Sequence, residues 1–400
     1  MREENRLQIV RKIIKLYDGK EPLIRFLKKY YRLNPAMGSR DRRIYSGVIF
    51  NYFRLGCALP DESVETRIAV SSFLCSRNEL NDLIVFMVNN YSALDINLLS
   101  SDSSNKIKHV EEKYPGFSVK DIVPFGTLFS DNINHSSFSA FILSQPGVWL
   151  RIRKSFRDEV IMDLNKNKIS FHHIMNRPST LFLAEDTKTE NVASYQNGYF
   201  EIQDLASQKA GELIPVKKND FWWDVCCGSG GKSLQMIDRE STLRLFCTDN
   251  RSAILKNLTE RFKKSGVTHY HSAVYDASGG SELELPKDNR IGLHFDGIVA
   301  DVPCSGSGIW ARSPEQISYF DHSKIESYSE IQKKIISNCI KYLKPGGVLA
   351  YITCSVFKIE NENNVTYFSN HLPLELIKSE LIDESAIGGG VLFAALFRKK

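Results

Sequence analysis

The run Phe295-Asp296-Gly297-Ile298-Val299-Ala300-Asp301-Val302-Pro303-Cys304-Ser305-Gly306-Ser307-Gly308 decides how the C-terminal half of this 400-residue chain folds. Its opening residues are mostly apolar, as in a short strand buried on both faces of a parallel sheet. Open α/β sheets bind ligands in the crevice beyond the carboxyl ends of their strands. At that position the sequence places an acid, a proline turn, a thiol and several small residues. Val348-Leu349-Ala350-Tyr351-Ile352 repeats the design, an apolar strand ending in Thr353-Cys354-Ser355. Two strand-end cysteines, each followed by serine, mark where chemistry is expected.

Working outward, residues 199–400 alternate strands with helices and read as a doubly wound α/β sheet of Rossmann-like type. Phe221 to Cys226 is a strand, and Cys227-Gly228-Ser229-Gly230-Gly231-Lys232-Ser233 is a Gly-rich loop opening a helix. Leu243 to Asp249 is the next strand, ending in an acid. A helix with Ile254, Leu255, Leu258 and Phe262 leads to a strand near His269–Ala273, with Asp276 just beyond. A long helix around Ile331, Ile335, Ile336, Cys339 and Ile340 joins the two cysteine strands, with Lys344-Pro345-Gly346-Gly347 as the turn after it. Val391 to Phe397 is the last strand. Glycines let a backbone approach its ligand, and a carboxylate one strand later can take both hydroxyls of a ribose. The loop is not a Walker loop, which would need glycine at Cys226, and it is not Gly-x-Gly-x-x-Gly. Those spacings argue against a nucleoside triphosphate and a dinucleotide. S-adenosylmethionine, a nucleoside without pyrophosphate, fits best; a purely structural turn is the other reading. The candidate cofactor-binding residues are Cys226, Cys227, Gly228, Ser229, Gly230, Gly231, Lys232, Asp249, Asp276 and Asp301, with the two loop cysteines contributing backbone.

The N-terminal part differs in texture. Residues 1 to about 125 show helical periodicity: Leu7, Val10, Ile13, Ile14 and Leu16-Tyr17, then Leu23, Phe26, Leu27 and Tyr30 after Pro22. A further helix follows Met37-Gly38-Ser39-Arg40-Asp41-Arg42-Arg43, with Ser39 as expected N-cap. The first 60 residues hold fourteen Lys/Arg against five Asp/Glu, while the rest holds 38 against 42. The basic charge therefore belongs to this end and points to a polyanion such as nucleic acid, a solvated basic helix face being the alternative. From Pro146 the pattern turns short-stranded, and Val148 to Arg153 reads as a half-buried strand. No apolar run approaches the roughly eighteen residues of a membrane span, and the first residues lack a signal-peptide core, so a cytoplasmic protein is expected. The eight cysteines show no disulfide-framework spacing and no Cys-x-x-Cys, which argues against a zinc site. The histidines form no metal-ligand cluster.

Asp301-Val302-Pro303-Cys304-Ser305-Gly306, Tyr351-Ile352-Thr353-Cys354-Ser355 and Glu360-Asn361-Glu362 resemble motifs of the Nop/Sun (RsmB-type) RNA cytosine-5 methyltransferases. Asp224 to Lys232 resembles that family's cofactor loop, with Gly228-Ser229 where Ala-Pro is usual. Gly198 to Gln208 is similar to its entry motif, and the N-terminal helices with Gly38 to Arg43 resemble the NusB-like domain of bacterial ribosomal members. The resemblance implies three parts: a NusB-like helical RNA-binding domain over 1–130, a small α+β connector over 131–210, and a methyltransferase domain over 211–400. It implies an S-adenosylmethionine-dependent enzyme that methylates carbon 5 of a cytosine in small-subunit ribosomal RNA. Cys354 would add to carbon 6, Asp301 would support the electron shift at nitrogen 3, and Cys304 would assist the final elimination. Lys232 is expected to favour the thiolate. A transfer RNA substrate and a non-catalytic RNA-binding assembly factor remain as alternatives, and both cysteines could instead be core fillers. A DNA cytosine methyltransferase is disfavoured, because there the Pro-Cys cysteine is the nucleophile. Arg40, Arg42, Arg43, Arg151, Arg153 and Lys154 are candidates for phosphate contacts, and Arg312 for a contact near the active site. A monomer without metal or membrane partner is expected.

Overall fold

The computed structural model describes residues 2–76, 81–184, 187–285 and 294–400. They form two compact units, one of residues 1–129, 133–145 and 309–322, the other of 130–132, 146–308 and 323–400.

The first unit is helical. The helix Arg2–Leu16 buries Leu7, Val10 and Ile13 on one face, while Leu16 is exposed. The helix Leu23–Leu33 buries Leu23, Leu27 and Tyr31, one residue per turn. The third helix, Ser39–Arg54, begins one residue earlier than expected: Gly38 is its N-cap, and no side chain caps it. Asp41 in its first turn serves another purpose, taking Arg6 at 2.7 Å. Arg54 at its end is buried and donates to the carbonyls of Ile142, Ser144 and Ala311, each at 2.8 Å. Segment 309–322, which follows the first cysteine turn in sequence, is thereby part of the helical unit. Glu315 caps the second helix through the Leu23 N–H at 3.1 Å.

The second unit carries eleven strands among the described residues. β1 (Val148–Ile152), β2 (Phe171–Ile174), β3 (Arg177–Leu183) and β4 (Phe200–Ile202) make an antiparallel sheet in the order β2-β3-β1-β4. Residues 131–210 are therefore not a unit of their own. Their helix His135–Ile142 falls in the helical unit, and their strands stay with the large sheet. The physical tie is Asp238, which takes Arg151 at 2.6 Å and Arg153 at 2.7 Å from β1 and the residue after it.

The large sheet holds β5 (Phe221–Asp224), β6 (Arg244–Asp249), β7 (Tyr270–Val274), β8 (Phe295–Asp301), β9 (Leu343–Thr353), β10 (Leu374–Asp383) and β11 (Val391–Lys399), in the order β10-β11-β9-β8-β5-β6-β7. The pairs from β9 to β7 are parallel, and β11 pairs antiparallel with both β9 and β10. Helices cover both faces. Trp223, Ile298 and Tyr351 pack in one core with Ile335 and Phe368, and Trp222, Val299 and Ile352 pack in the other with Leu234 and Leu258. Burial on both faces is why these strands read as apolar runs without alternation. Lys344 to Gly347 do not end an element. They bulge out of β9, because Phe295 pairs with Leu343 while Gly297 pairs with Val348. Strand β10 was not anticipated: it is a mostly exposed edge strand carrying Glu375, Lys378 and Glu380, a composition that suits an edge and hides a strand from pattern reading. The order reverses between β5 and β8, so the crevice beyond their carboxyl ends is the topological switch point.

Candidate active site

A cleft of about 820 Å³ opens at that switch point, lined by the ends of β5, β6 and β8 and by Cys354 after β9. Of the sequence candidates, Cys226, Cys227, Gly228, Ser229, Gly231, Lys232, Asp249, Asp276, Asp301, Cys304 and Cys354 line it, and Gly230 does not. Gly230 has another task. It caps the helix Gly231–Arg239 at φ +80°, and a Cβ there would sit 2.8 Å from Phe262. Gly228, at φ +53°, faces open space within the loop, so its backbone can meet a ligand. Ser229 is held by Arg261, which donates to its carbonyl at 3.0 Å and its hydroxyl at 2.9 Å.

Asp249 is nearly fully buried, and its carboxylate accepts the Gly228 N–H at 3.1 Å and the Arg251 N–H at 3.0 Å. The Arg251 guanidinium adds a two-point pair at 2.9 and 3.0 Å. Burial alone would raise this carboxyl; the Arg251 bonds and charge and the Gly228 N–H outweigh it and hold the group below its ordinary value. Asp276 also lines the cleft, exposed, with Oδ1 accepting from the Ser278 N–H and hydroxyl. A ligand with a diol and a polar heterocycle fits these acceptors. Among the described residues no His/Cys/Asp/Glu group could hold a metal ion.

Asp224, at the end of β5, accepts the Ser233 hydroxyl at 2.5 Å through Oδ2, while its buried Oδ1 has no partner. Burial pushes this carboxyl up to about 7, against the lowering Ser233 bond. A carboxyl raised in the folded state contributes most below its unfolded value near 4, and its contribution is lost as pH climbs toward 7. Asp224→Asn, which keeps the Ser233 bond without the charge, is therefore expected to be more stable than wild type at pH 8. The gain is up to about 4 kcal/mol and vanishes near pH 4; thermal melts across that range check it.

Also lining the cleft, Lys232 Nζ meets Asp301 Oδ2 at 2.6 Å, with the lysine side chain 9% exposed and the aspartate 35%. Burial pulls the ammonium down, but the charge and hydrogen bond of Asp301 outweigh it, and Lys232 stays above its ordinary value. Cys304 and Cys354 face each other with their sulfurs 3.2 Å apart, and the Cys354 N–H donates to the Cys304 sulfur at 3.3 Å. The hydrogen bond with Cys354, then burial, pushes the Cys304 thiol well up. Burial does the same for Cys226, and the contact with Cys247 does so for Cys227. Those two thiols are held neutral, as loop residues acting through backbone would be. Cys247 and Cys339 are fully buried, Cys57 and Cys75 half-buried.

The phosphate candidates separate. Arg151 and Arg153 are engaged internally with Asp238, and Arg153 also with the carbonyls of Gly198 and Ser265. Arg42 turns back to the Met37 carbonyl at 2.8 Å. Arg40, Arg43 and Lys154 are exposed. Arg312 belongs to the segment that packs with the helical unit. Sequence reading missed Arg251 at the cleft and the buried Gln332 behind the cysteines, and it marked the buried Glu360 only as part of a motif. Nothing in the spacing of Arg251 or Gln332 marks them.

The family model described as 16S rRNA methyltransferase RsmB/F matches residues 212–394. Ribosomal RNA small subunit methyltransferase B of Shewanella oneidensis is 30% identical over 230 residues, 56% of this chain and 51% of that protein. Its namesake in Proteus mirabilis is 26% identical over 262 residues, 64% and 60%. The chain thus spans about half to three-fifths of the length of these relatives. The crystal structure of PH0851 matches 97% of both chains with a TM-score of 0.70 at 17% identity, a likeness of fold. Residues 212–394, which carry the cleft residues from Asp224 to Cys354, are thus the part of the chain that is similar to the RsmB/F methyltransferases.

Proposed function

We propose that the protein methylates carbon 5 of a cytosine in small-subunit ribosomal RNA, with S-adenosylmethionine as donor and a covalent adduct to Cys354. The carrying observation is the two sulfurs at 3.2 Å beside the Lys232–Asp301 pair, at the ends of adjacent strands. S-adenosylmethionine, when bound, supplies an electrophilic methyl group; Asp249 and Asp276 would hold its ribose and adenine, and the Gly228 turn its backbone side. Cytosine carbon 5 is a weak nucleophile. Addition of a thiolate to carbon 6 turns the ring into an enamine, which splits one difficult step into easier ones. Cys354 makes that bond. As negative charge develops at nitrogen 3, a proton from the Lys232 ammonium reaches it through Asp301 and supports the electron shift. Cys304 takes the proton from carbon 5, and the Cys354 bond then breaks. The target base must leave its stack to reach the cleft. The helical unit, read as NusB-like, would hold RNA through residues such as Arg40 and Arg43, and the protein would work as a cytoplasmic monomer. No helix among the described residues is long and apolar enough to cross a membrane.

The test is methyl transfer from labelled donor to RNA of cells lacking the gene. Label in small-subunit ribosomal RNA is expected. Label in transfer RNA would move the substrate, and no label despite measurable donor binding would overturn the reading.

Arg251 carries a separate expectation. Its guanidinium occupies both oxygens that a ribose diol would use, yet its side chain is 64% exposed and its pair with Asp249 correspondingly weak. Arg251→Ala is expected to tighten binding of S-adenosylhomocysteine by up to about fivefold, since an exposed pair contributes up to about 1 kcal/mol. Calorimetric titration checks the sign.

A further inference from the structure

The two cysteine turns are stitched together by more than their sulfurs. Strands β8 and β9 are parallel neighbours, with Asp301 opposite Ile352 and the Val302 N–H donating to the Ile352 carbonyl at 3.1 Å. Beyond the strand ends, the Gly308 N–H donates to the Cys354 carbonyl at 2.9 Å, and the Ser305 hydroxyl donates to that of Ser355 at 3.1 Å. The fully buried Glu360 reaches both turns: Oε1 accepts the Ser305 N–H at 2.9 Å and Gln332 Nε2 at 3.0 Å, and Oε2 accepts the Ser355 hydroxyl. These bonds fix the backbone beside each thiol, so the 3.2 Å between the Cys304 and Cys354 sulfurs is set by the fold. A disulfide holds its Cα atoms about 4.4–6.8 Å apart, a span that neighbouring strands at about 4.8 Å already provide. Its sulfurs lie about 2.05 Å apart, so side-chain rotation across a gap of about 1 Å completes the bond. Both thiols line the cleft and are half-buried, within reach of a small solute. Cys227 and Cys247 also meet, but Cys247 is fully buried and Cys227 nearly so.

We propose that Cys304 and Cys354 are a site of reversible oxidation, where a hydroperoxide joins them as a disulfide and silences the cleft. One sulfur, as thiolate, attacks a peroxide oxygen; the O–O bond breaks, leaving a sulfenic acid on that sulfur and a hydroxide that takes the proton already released. The other sulfur attacks the sulfenic sulfur, the S–O bond breaks, and the departing hydroxide carries off the remaining thiol proton as water. The two thiols lose two electrons and the peroxide gains them. Either sulfur can begin, since each faces the other. A small dithiol reverses the step by exchange and is itself oxidised to a disulfide. In a reducing compartment such a link is transient and regulatory, not structural. Neither sulfur of the disulfide can add to carbon 6 or take a proton, so methyl transfer stops, while Gly228, Asp249 and Asp276 are left free to hold the donor. That consequence rests on the methyl-transfer reading above; the link itself does not.

The test exposes the reduced full chain to hydrogen peroxide at neutral pH, blocks the remaining thiols with iodoacetamide, and maps peptides by mass spectrometry without reduction. The expected product is a Cys304–Cys354 link that dithiothreitol removes and that forms at least about tenfold faster than any Cys227–Cys247 link. In Cys304→Ser and in Cys354→Ser the link is absent, and the remaining thiol goes on to sulfinic acid, which dithiothreitol does not reverse. Linked wild type should bind S-adenosylhomocysteine within about twofold of the reduced protein, and its methyl transfer should fall at least about tenfold and return with dithiothreitol. Wild type whose Cys304 and Cys354 both stay open to alkylation, or both pass to sulfinic acid, under peroxide would overturn the proposal. A Cys227–Cys247 link forming first, or loss of S-adenosylhomocysteine binding on linking, overturns it equally. If the reduced protein transfers no methyl group to any RNA, the previous reading fails, while the link is still decided by the peptides alone.

Discussion

Cys354→Ala is expected to reduce methyl transfer at least about 10⁴-fold, while Cys304→Ala stops turnover but accumulates a denaturant-resistant protein–RNA adduct. The two outcomes differ although the sulfurs are only 3.2 Å apart. Cys354 follows the end of β9 and interacts electrostatically with the Lys232 ammonium. Cys304 is held as thiol first by its hydrogen bond to Cys354 and then by burial. Once Cys354 is bonded to carbon 6, that hydrogen bond and the thiolate charge are gone. Cys304, which lines the cleft, can then release its proton to solvent and take the one on carbon 5. Without Cys304 the adduct forms and is methylated but cannot eliminate. Gel shift under denaturing conditions, with labelled RNA and donor, reads both variants at once. An adduct in Cys354→Ala and none in Cys304→Ala would exchange the two roles.

The strands that build this site were readable because burial on both faces leaves only apolar residues in them: Phe221 to Trp223, Leu245 to Cys247, Ile298 to Ala300 and Leu349 to Ile352 are all buried. Their polar ends were readable for the same reason, as Asp224, Asp249, Asp301 and Cys354 break those runs at the ligand end. Sequence says less where the reason for a residue lies far along the chain. Segment 309–322 packs with the helical unit because Arg54 takes the Ala311 carbonyl, a link across 257 positions. Arg151 in β1 and Arg153 just after it look like phosphate ligands until Asp238, more than eighty positions on, is seen to take both. Glu360 was visible as part of a motif, but its role needs Ser305, Gln332 and Ser355, which only the fold brings together. Gly230 was legible as a loop glycine and misplaced as a ligand contact, since what requires it is Phe262 in the next helix.

Asp301→Asn is expected to lower methyl transfer by about 10²- to 10⁴-fold, the usual range for losing a positioned proton-transfer group, and to destabilise the fold in a pH-dependent way. Lys232 is buried in the first turn of its helix, with Asp301 as its ion-pair partner. Breaking a buried pair costs about 3–5 kcal/mol, and the 35% exposure of the aspartate side chain places this one at the lower end, near 3 kcal/mol. The pH dependence identifies the cause. In wild type the ammonium sits above its ordinary value because Asp301 outweighs burial, so its contribution is complete below that value and lost as pH rises through the folded one. In the variant burial acts almost alone and the folded ammonium falls below its ordinary value. The unfolded chain then binds more protons, and stability rises with pH. The gap between the two proteins should therefore narrow steadily from pH 7 to pH 10. A parallel pair of stability curves over that range would show that Asp301 acts through packing of the β8 end and not through the Lys232 charge, and the lost activity would have to be assigned to the shape of the cleft.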